Sequence, residues 1–146
     1  MAAKLTVEMG VDTGDIELKI RFEDARLSAE GGAWFSASQI ADFSDRLERY
    51  PLDSKDLPML VGGYWNSDGS RIAQEHIRLL AMPVGNQGRI ELSIFLGIPS
   101  DQGAADALKY VAATRIAIYY SEAEAMAKGF RSLASTGGEA TFTLGK

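Results

Sequence analysis

Between Asp15 and Phe22 apolar and charged residues alternate without a slip: Ile16, Leu18, Ile20 and Phe22 are separated by Glu17, Lys19 and Arg21. Successive side chains on a strand point to opposite faces, so this stretch predicts a strand with one buried and one wet face. Arg89–Ile98 repeats the pattern through Ile90, Leu92, Ile94, Leu96 and Ile98. Leu5–Met9 is a shorter candidate, joined to the first by a turn at Gly10–Gly14. After Phe22 the alternation weakens through Ala25, Leu27 and Ala29 and breaks at Gly31-Gly32. Arg71–Met82 contains residues that suit a helix. Its apolar spacing does not: as a strand, Ala73, Ile77, Leu79 and Ala81 share one face and Gln74, His76 and Arg78 the wet other, and a strand is expected. Met59–Asn66 is apolar and aromatic, interrupted by Gly62-Gly63. Ala107–Tyr120 reads as extended, in one piece or two, and Ala140–Leu144 as a closing strand. Turn formers mark Leu52–Pro58, Asn66–Ser70, Val84–Gly88 and Pro99–Ala105.

Two stretches switch to helical spacing. Ser36-Ala-Ser-Gln39 fits a capping box, in which the Ser and Gln side chains satisfy otherwise orphaned N–H groups. Ile40, Phe43, Leu47 and Tyr50 then follow at i, i+3, i+7 and i+10, a narrow apolar stripe. Asp42, Asp45, Arg46, Glu48 and Arg49 fall on the outward side. Asp42–Arg46 and Asp45–Arg49 are expected as i,i+4 pairs worth about 0.3–0.5 kcal/mol each, and Pro51 stops the helix. The signature returns at Ser121-Glu-Ala-Glu124, a second capping-box candidate. Ala123, Met126, Phe130 and Leu133 repeat the first stripe at an offset of 83 residues, and Gly137-Gly138 closes the helix. The offset suggests a weak internal strand–helix repeat. Helices are expected near 37–50 and 121–135. Because each carries one narrow stripe, each must lie on a sheet. The strands run in hairpin-like succession, so the expected fold class is α+β: a mainly antiparallel sheet of about six to eight strands with two amphipathic helices packed on it, in a single domain, 1–146.

Composition narrows the function classes. The chain has 146 residues, no Cys and one His, and 46% of it is hydrophobic. The lack of Cys removes a disulfide scaffold, a thiolate zinc site and a Cys nucleophile. The longest stretches without a charge, Gly31–Ala41 and Leu57–Ser67, are each 11 residues, too short to cross a membrane as a helix, which takes about 20. Met1-Ala-Ala-Lys4 runs into Leu5-Thr-Val-Glu8 with no apolar signal region, and a soluble, cytoplasmic protein is the expectation. The formal net charge is −5, unfavourable for direct nucleic-acid binding. Residues 1–60 hold 12 acids and 7 bases, and residues 61–146 hold 8 of each, so the excess lies in the first part. Asp42, Asp45, Glu48, Asp53 and Asp56 form its densest run. They read either as an ordinary solvated face or as a surface that steers a basic partner.

Catalytic motifs are missing. A Ser-His-Asp triad would have to use His76, and no Gly-x-Ser-x-Gly elbow is present. Asp12/Asp15, Asp53/Asp56 and Asn66/Asp68 lack calcium-loop spacing and read as turn residues. Gly31-Gly32, Gly62-Gly63 and Gly137-Gly138 lack phosphate-loop context and read as strand ends and bulges. A carboxylate pair distant in sequence would leave no signature. No metal or cofactor is expected. The doublets Trp34-Phe35, Tyr64-Trp65 and Tyr119-Tyr120 each predict one core ring and one on a second face or edge; Trp34, Tyr64 and Trp65 are taken as candidate interface anchors, and packing under helices or a loop is the plainer alternative.

Trp34-Phe35…Gln39-Ile40-Ala-Asp42-Phe43-Ser-Asp-Arg-Leu47, the strand Gly63-Tyr-Trp65, the hairpin ending in Gly88-Arg-Ile-Glu-Leu92, and Tyr120…Phe130-Arg-Ser-Leu133 together resemble WapI-type bacterial immunity proteins and related small α+β proteins. The resemblance implies a non-enzymatic inhibitor that binds a toxin domain, often a nuclease, and blocks it stoichiometrically. It carries over no contact residues. The expected partner is a basic toxin or nuclease, met by the acidic residues above. A phage-encoded inhibitor of a host defence nuclease, a carboxylate-based enzyme or small-ligand module, and a homodimer built on the aromatic strands are the alternatives.

Overall fold

The computed structural model of the chain describes residues 2–85, 88–100 and 107–145. The expected turn at Val84–Gly88 and loop at Pro99–Ala105 fall partly outside the described residues. Eight strands and two helices follow one another as β1 (Ala3–Asp12), β2 (Asp15–Glu23), β3 (Ser28–Ser36), α1 (Ala37–Leu47), β4 (Met59–Trp65), β5 (Ile72–Val84), β6 (Arg89–Ile98), β7 (Tyr110–Tyr119), α2 (Tyr120–Thr136) and β8 (Gly138–Leu144). The strands form two antiparallel sheets of four, in the orders β3-β2-β1-β8 and β4-β5-β6-β7. The fold is α+β.

Alternation decides which face each strand buries. In the first sheet Leu5, Val7, Met9, Ile16, Leu18, Ile20 and Phe22 are buried, and Leu60, Ile77, Leu79, Ile90, Leu92 and Ile94 are their counterparts in the second. Each helix leaves the edge strand of one sheet and delivers the chain to an edge strand of the other: α1 from β3 to β4, α2 from β7 to β8. The 83-residue offset recurs in the geometry. Ser36 and Tyr119 are the two N-caps, and the buried set Ile40, Phe43, Ser44 and Leu47 corresponds to Ala123, Met126, Ala127 and Phe130. The helices pack on each other as well as on strands, with the Phe43 and Phe130 rings 5.4 Å apart.

Several local expectations are corrected. The chain after Phe22 turns rather than continuing as a strand. The Asp24 carboxylate accepts the N–H groups of Arg26 and Leu27, both at 2.8 Å, and these bonds lower its pKa. Strand β3 then runs through Gly31-Gly32 without a break. Glycine is required at 31 because β3 crosses the second sheet there; a Cβ would lie 2.6 Å from the His76 carbonyl oxygen. Helix α1 ends at Leu47, and Tyr50 leaves the apolar stripe to sit 78% exposed, its ring edge-on to Tyr120 at 4.8 Å. The box of α2 lies two residues earlier than Ser121–Glu124: Glu122 accepts the Tyr119 N–H at 2.8 Å.

Candidate functional site

The acidic residues nominated on α1 and the loop after it are held in an ion-pair network. Arg131 of α2 donates to Asp45 at 2.8 Å and to Glu48 at 2.6 Å, and both bonds raise its pKa. The i,i+4 pairs expected within α1 do not form. Arg46 and Arg49 turn instead to the loop, reaching Asp56 at 3.2 and 3.1 Å, with Asp53 3.9 Å from Arg49. The loop folds back against its own helix and brings Asp53 and Asp56 to the two arginines, while Asp45 is held by Arg131 from the other helix. Four of the five nominated acids therefore already hold a guanidinium. Among the described residues Asp42 alone of the five has no ion-pair partner.

Among the nominated aromatics, Trp34 projects from the outer face of the first sheet, 55% exposed, while Phe35 is core. Tyr119 and Tyr120 divide in the same sense, exposed and half-buried. Tyr64 and Trp65 do not: they are 38% and 50% exposed. The reason is a β-bulge. The register shifts between Gly62/Gly63 and again between Tyr64/Trp65, and the first shift leaves His76 of β5 without a cross-strand partner. His76 thereby turns from the expected wet face into the core, 3% exposed. Its Nε2 pairs with Gln74 Oε1 at 2.8 Å, its ring meets Tyr64 edge-on at 4.4 Å, and burial lowers its pKa. No ring contact joins Trp34 to Tyr64 or Trp65 among the described residues.

The nominated residues thus divide between separate regions. A different surface is more continuous. On the outer face of the second sheet, register brings Met59, Leu80, Ser93 and Arg115 into one row and Val61, Arg78, Phe95 and Ala113 into the next, with Met82 beside Glu91. The main helix contacts are with β1, β3, β4, β7 and β8, so the outward side chains of β5 and β6 lie chiefly against their neighbours in the same sheet. Met59 is 51% exposed, and Leu80, Met82 and Phe95 are half-buried. Arg78 lies over the Phe95 ring at 5.0 Å and pairs with Glu75. Arg115 reaches Glu91 only at 3.9 Å, its side chain 73% exposed. A shallow depression of about 670 Å³ runs along this face. Sequence reasoning missed it, although Leu80, Met82 and Phe95 are apolar at the parity assigned to solvent.

Among the described residues no three His, Asp or Glu side chains gather as metal ligands, and no helix is long and apolar enough to cross a membrane. Comparison with family models, curated proteins and solved structures finds no match to this chain.

Proposed function

We propose that this chain is a non-enzymatic protein-binding module of the inhibitor type, docking through the outer face of its second sheet. The uncovered apolar rows of Met59, Leu80, Met82, Val61 and Phe95 carry the reading. Contiguous exposed apolar surface rimmed by charge is the usual mark of an interaction site. The partner is a protein with an apolar contact surface and a carboxylate opposite Arg115, whose own nearest carboxylate is distant and loose. Binding there competes only with the long 3.9 Å pair of Arg115 and Glu91 and leaves the guanidinium contacts of Asp45, Glu48, Asp53 and Asp56 in place.

A second reading keeps the immunity-type plug, with a basic toxin or nuclease as partner and the acidic surface as the contact. Asp42, which has no ion-pair partner among the described residues, and the net charge of −5 favour it. Docking on Asp45, Glu48, Asp53 or Asp56 would exchange existing guanidinium contacts for new ones, which reduces the gain. Net charge still accelerates encounter with a basic protein at low salt. A bacterial toxin and a phage target would be met by the same physics.

Capture from the source cell with three proteins separates the readings: wild type, Leu80→Asp with Met82→Asp, and Asp42→Lys. Loss of the captured protein in the sheet variant alone, with folding retained, supports the sheet surface. Loss in Asp42→Lys alone moves the interface to α1. Self-association abolished by the sheet substitutions, read by ultracentrifugation, would assign the face to a second copy instead.

A further inference from the structure

The two sheets are built alike. β1, β2 and β3 form a meander, α1 follows, and the next strand, β4, joins the other sheet; β5, β6 and β7 form the second meander, α2 follows, and β8 joins the first sheet. Each sheet therefore holds three strands of its own unit and the last strand of the other, laid in the same place: β8 beside β1, β4 beside β5. The match extends to single residues. The cross-strand pairs Leu5–Phe22, Val7–Ile20 and Met9–Leu18 have their counterparts in Ile77–Leu96, Leu79–Ile94 and Ala81–Leu92, all of them buried. Ile16 then faces Phe35 as Ile90 faces Ile118, and in both units the following residue caps the helix. Gln39 accepts the Ser36 N–H and Glu122 the Tyr119 N–H, each at 2.8 Å. The exchanged strands agree as well, since Ala140 stands opposite Val7 as Leu60 stands opposite Leu79. Strand order alone recurs among antiparallel folds. Shared register and cap position across five successive elements are what two copies of one unit produce.

We propose that the chain is a fused pair of β-β-β-α-β units, residues 3–65 and 72–144, each closed by the last strand of the other, and that a second copy of this chain takes the place of the sibling unit when the two units of one chain cannot close on each other. The covalent joint between the units is the turn Asn66–Arg71. Its hydrogen bonds run among its own residues: the Asn66 N–H donates to the Arg71 carbonyl at 2.9 Å, the Gly69 N–H to the Asn66 carbonyl at 3.0 Å and the Ser70 N–H to Asn66 Oδ1 at 3.0 Å. Trp65 and Ile72 on either side of it are paired across the ladder, and a hairpin takes about two residues or more to turn. Without the turn, β4 and β5 must run on as one strand, and β4 then reaches a β5 only in another copy. Two such strands, antiparallel, restore the β4–β5 ladder of both molecules. The outer faces of the units differ: where the second carries Leu80, Met82 and Phe95, the first carries Glu8, Gly10 and Arg21. The shared architecture does not call for apolar side chains there, and the exchange of units is independent of the docking surface proposed above.

Deletion of Asn66–Arg71 from the full chain tests the proposal. The chain has no cysteine, and Thr6 of β1 lies beside Thr141 of β8 with the hydroxyls 3.1 Å apart. Thr6→Cys with Thr141→Cys therefore reports whose β8 completes the first sheet. In the parent the disulfide should form within one chain and leave a single-chain band on a non-reducing denaturing gel. In the deletion variant it should link two chains. Without the cysteines that variant should sediment at twice the parent's mass, keep the parent's circular dichroism and melt in one cooperative transition. A folded monomer overturns the proposal, and so does a dimer whose cysteines close within each chain. If the deletion variant does not fold, a circular permutant decides. Ala3 and Leu144 are register partners, so a short glycine linker joins the ends, and a chain opened at the Asn66–Arg71 turn runs through the same β-β-β-α-β order twice. It should fold and melt within about 10 °C of the parent. A permutant without a cooperative transition overturns the proposal.

Discussion

Replacing Gly62 by alanine tests how the two sheets are joined. A Cβ at this position would lie 2.4 and 2.8 Å from Phe35 Cζ and Cε1 and 2.9 Å from Ala33 Cβ. Carbon atoms rest at about 3.5–4.0 Å from one another, so the ring must retreat by roughly 1 Å. Phe35 is 2% exposed, and a packed interior gives way only with strain, at about 1–3 kcal/mol for an inserted methyl. Against this, alanine in a strand gains roughly 0.5–1 kcal/mol over glycine through the unfolded chain. The net expectation is a loss of about 1–2 kcal/mol. For a chain of this size each kcal/mol moves Tm by about 2–4 °C, so a fall of several degrees is expected. Urea and thermal unfolding followed by circular dichroism measure it. Phe35→Leu removes the clashing ring atoms and leaves a void that the methyl group introduced by Gly62→Ala partly fills. The double variant should therefore be more stable than the sum of its parts by about 0.5–3 kcal/mol. A Gly62→Ala protein as stable as the parent, or a strictly additive pair, would refute the claim that β3 and β4 meet in this contact.

Other consequences concern charge. Burial lowers the His76 pKa below that of a solvated histidine. The unfolded chain then binds a proton more readily than the folded one, so stability should fall as pH drops below about 6.5 and level off below the folded-state pKa. Unfolding free energy measured between about pH 8 and 5 should lose this component in His76→Gln; an unchanged slope would place its origin elsewhere. Arg131→Met breaks the bridge from α2 to Asp45 and Glu48. The Arg131 side chain is 36% exposed, so screening holds the loss to about 0.5–1 kcal/mol at low salt, shrinking near 1 M salt. Equal melting curves at low salt would show the bridge to be energetically idle.

The unbroken alternations at Asp15–Phe22 and Arg89–Ile98 determined β2 and β6, and the apolar stripes determined both helices. Each feature is local. A side-chain period of two or of 3.6 residues can be read from neighbours along the chain, and so can the Ser36–Gln39 cap, which the structure retains. Turn chemistry was partly local as well. The Asp24 side chain that bends the chain is a local signal too, masked in the sequence by the weak apolar run beyond it.

Of the nominated surface, sequence put Asp42 on the outward side of α1, where it is exposed, and left Trp34 open between an interface anchor and a packed ring; the structure leaves Trp34 exposed. Sequence could not foresee that Arg131, 83 residues beyond Glu48, would bind that carboxylate and Asp45, or that Arg46 and Arg49 would leave their helical neighbours for the loop. Long charged side chains choose partners by distance in space, and several carboxylates were equally near in sequence. Strand pairing was equally out of reach. The division of eight strands into two sheets, the passage of β3 through Gly31-Gly32, and the bulge that turns His76 inward depend on contacts between segments remote along the chain. Periodicity told which residues of a strand share a face. Only the packed molecule decided which faces a helix or sheet would cover, and that choice left Leu80, Met82 and Phe95 half-buried on an outer face.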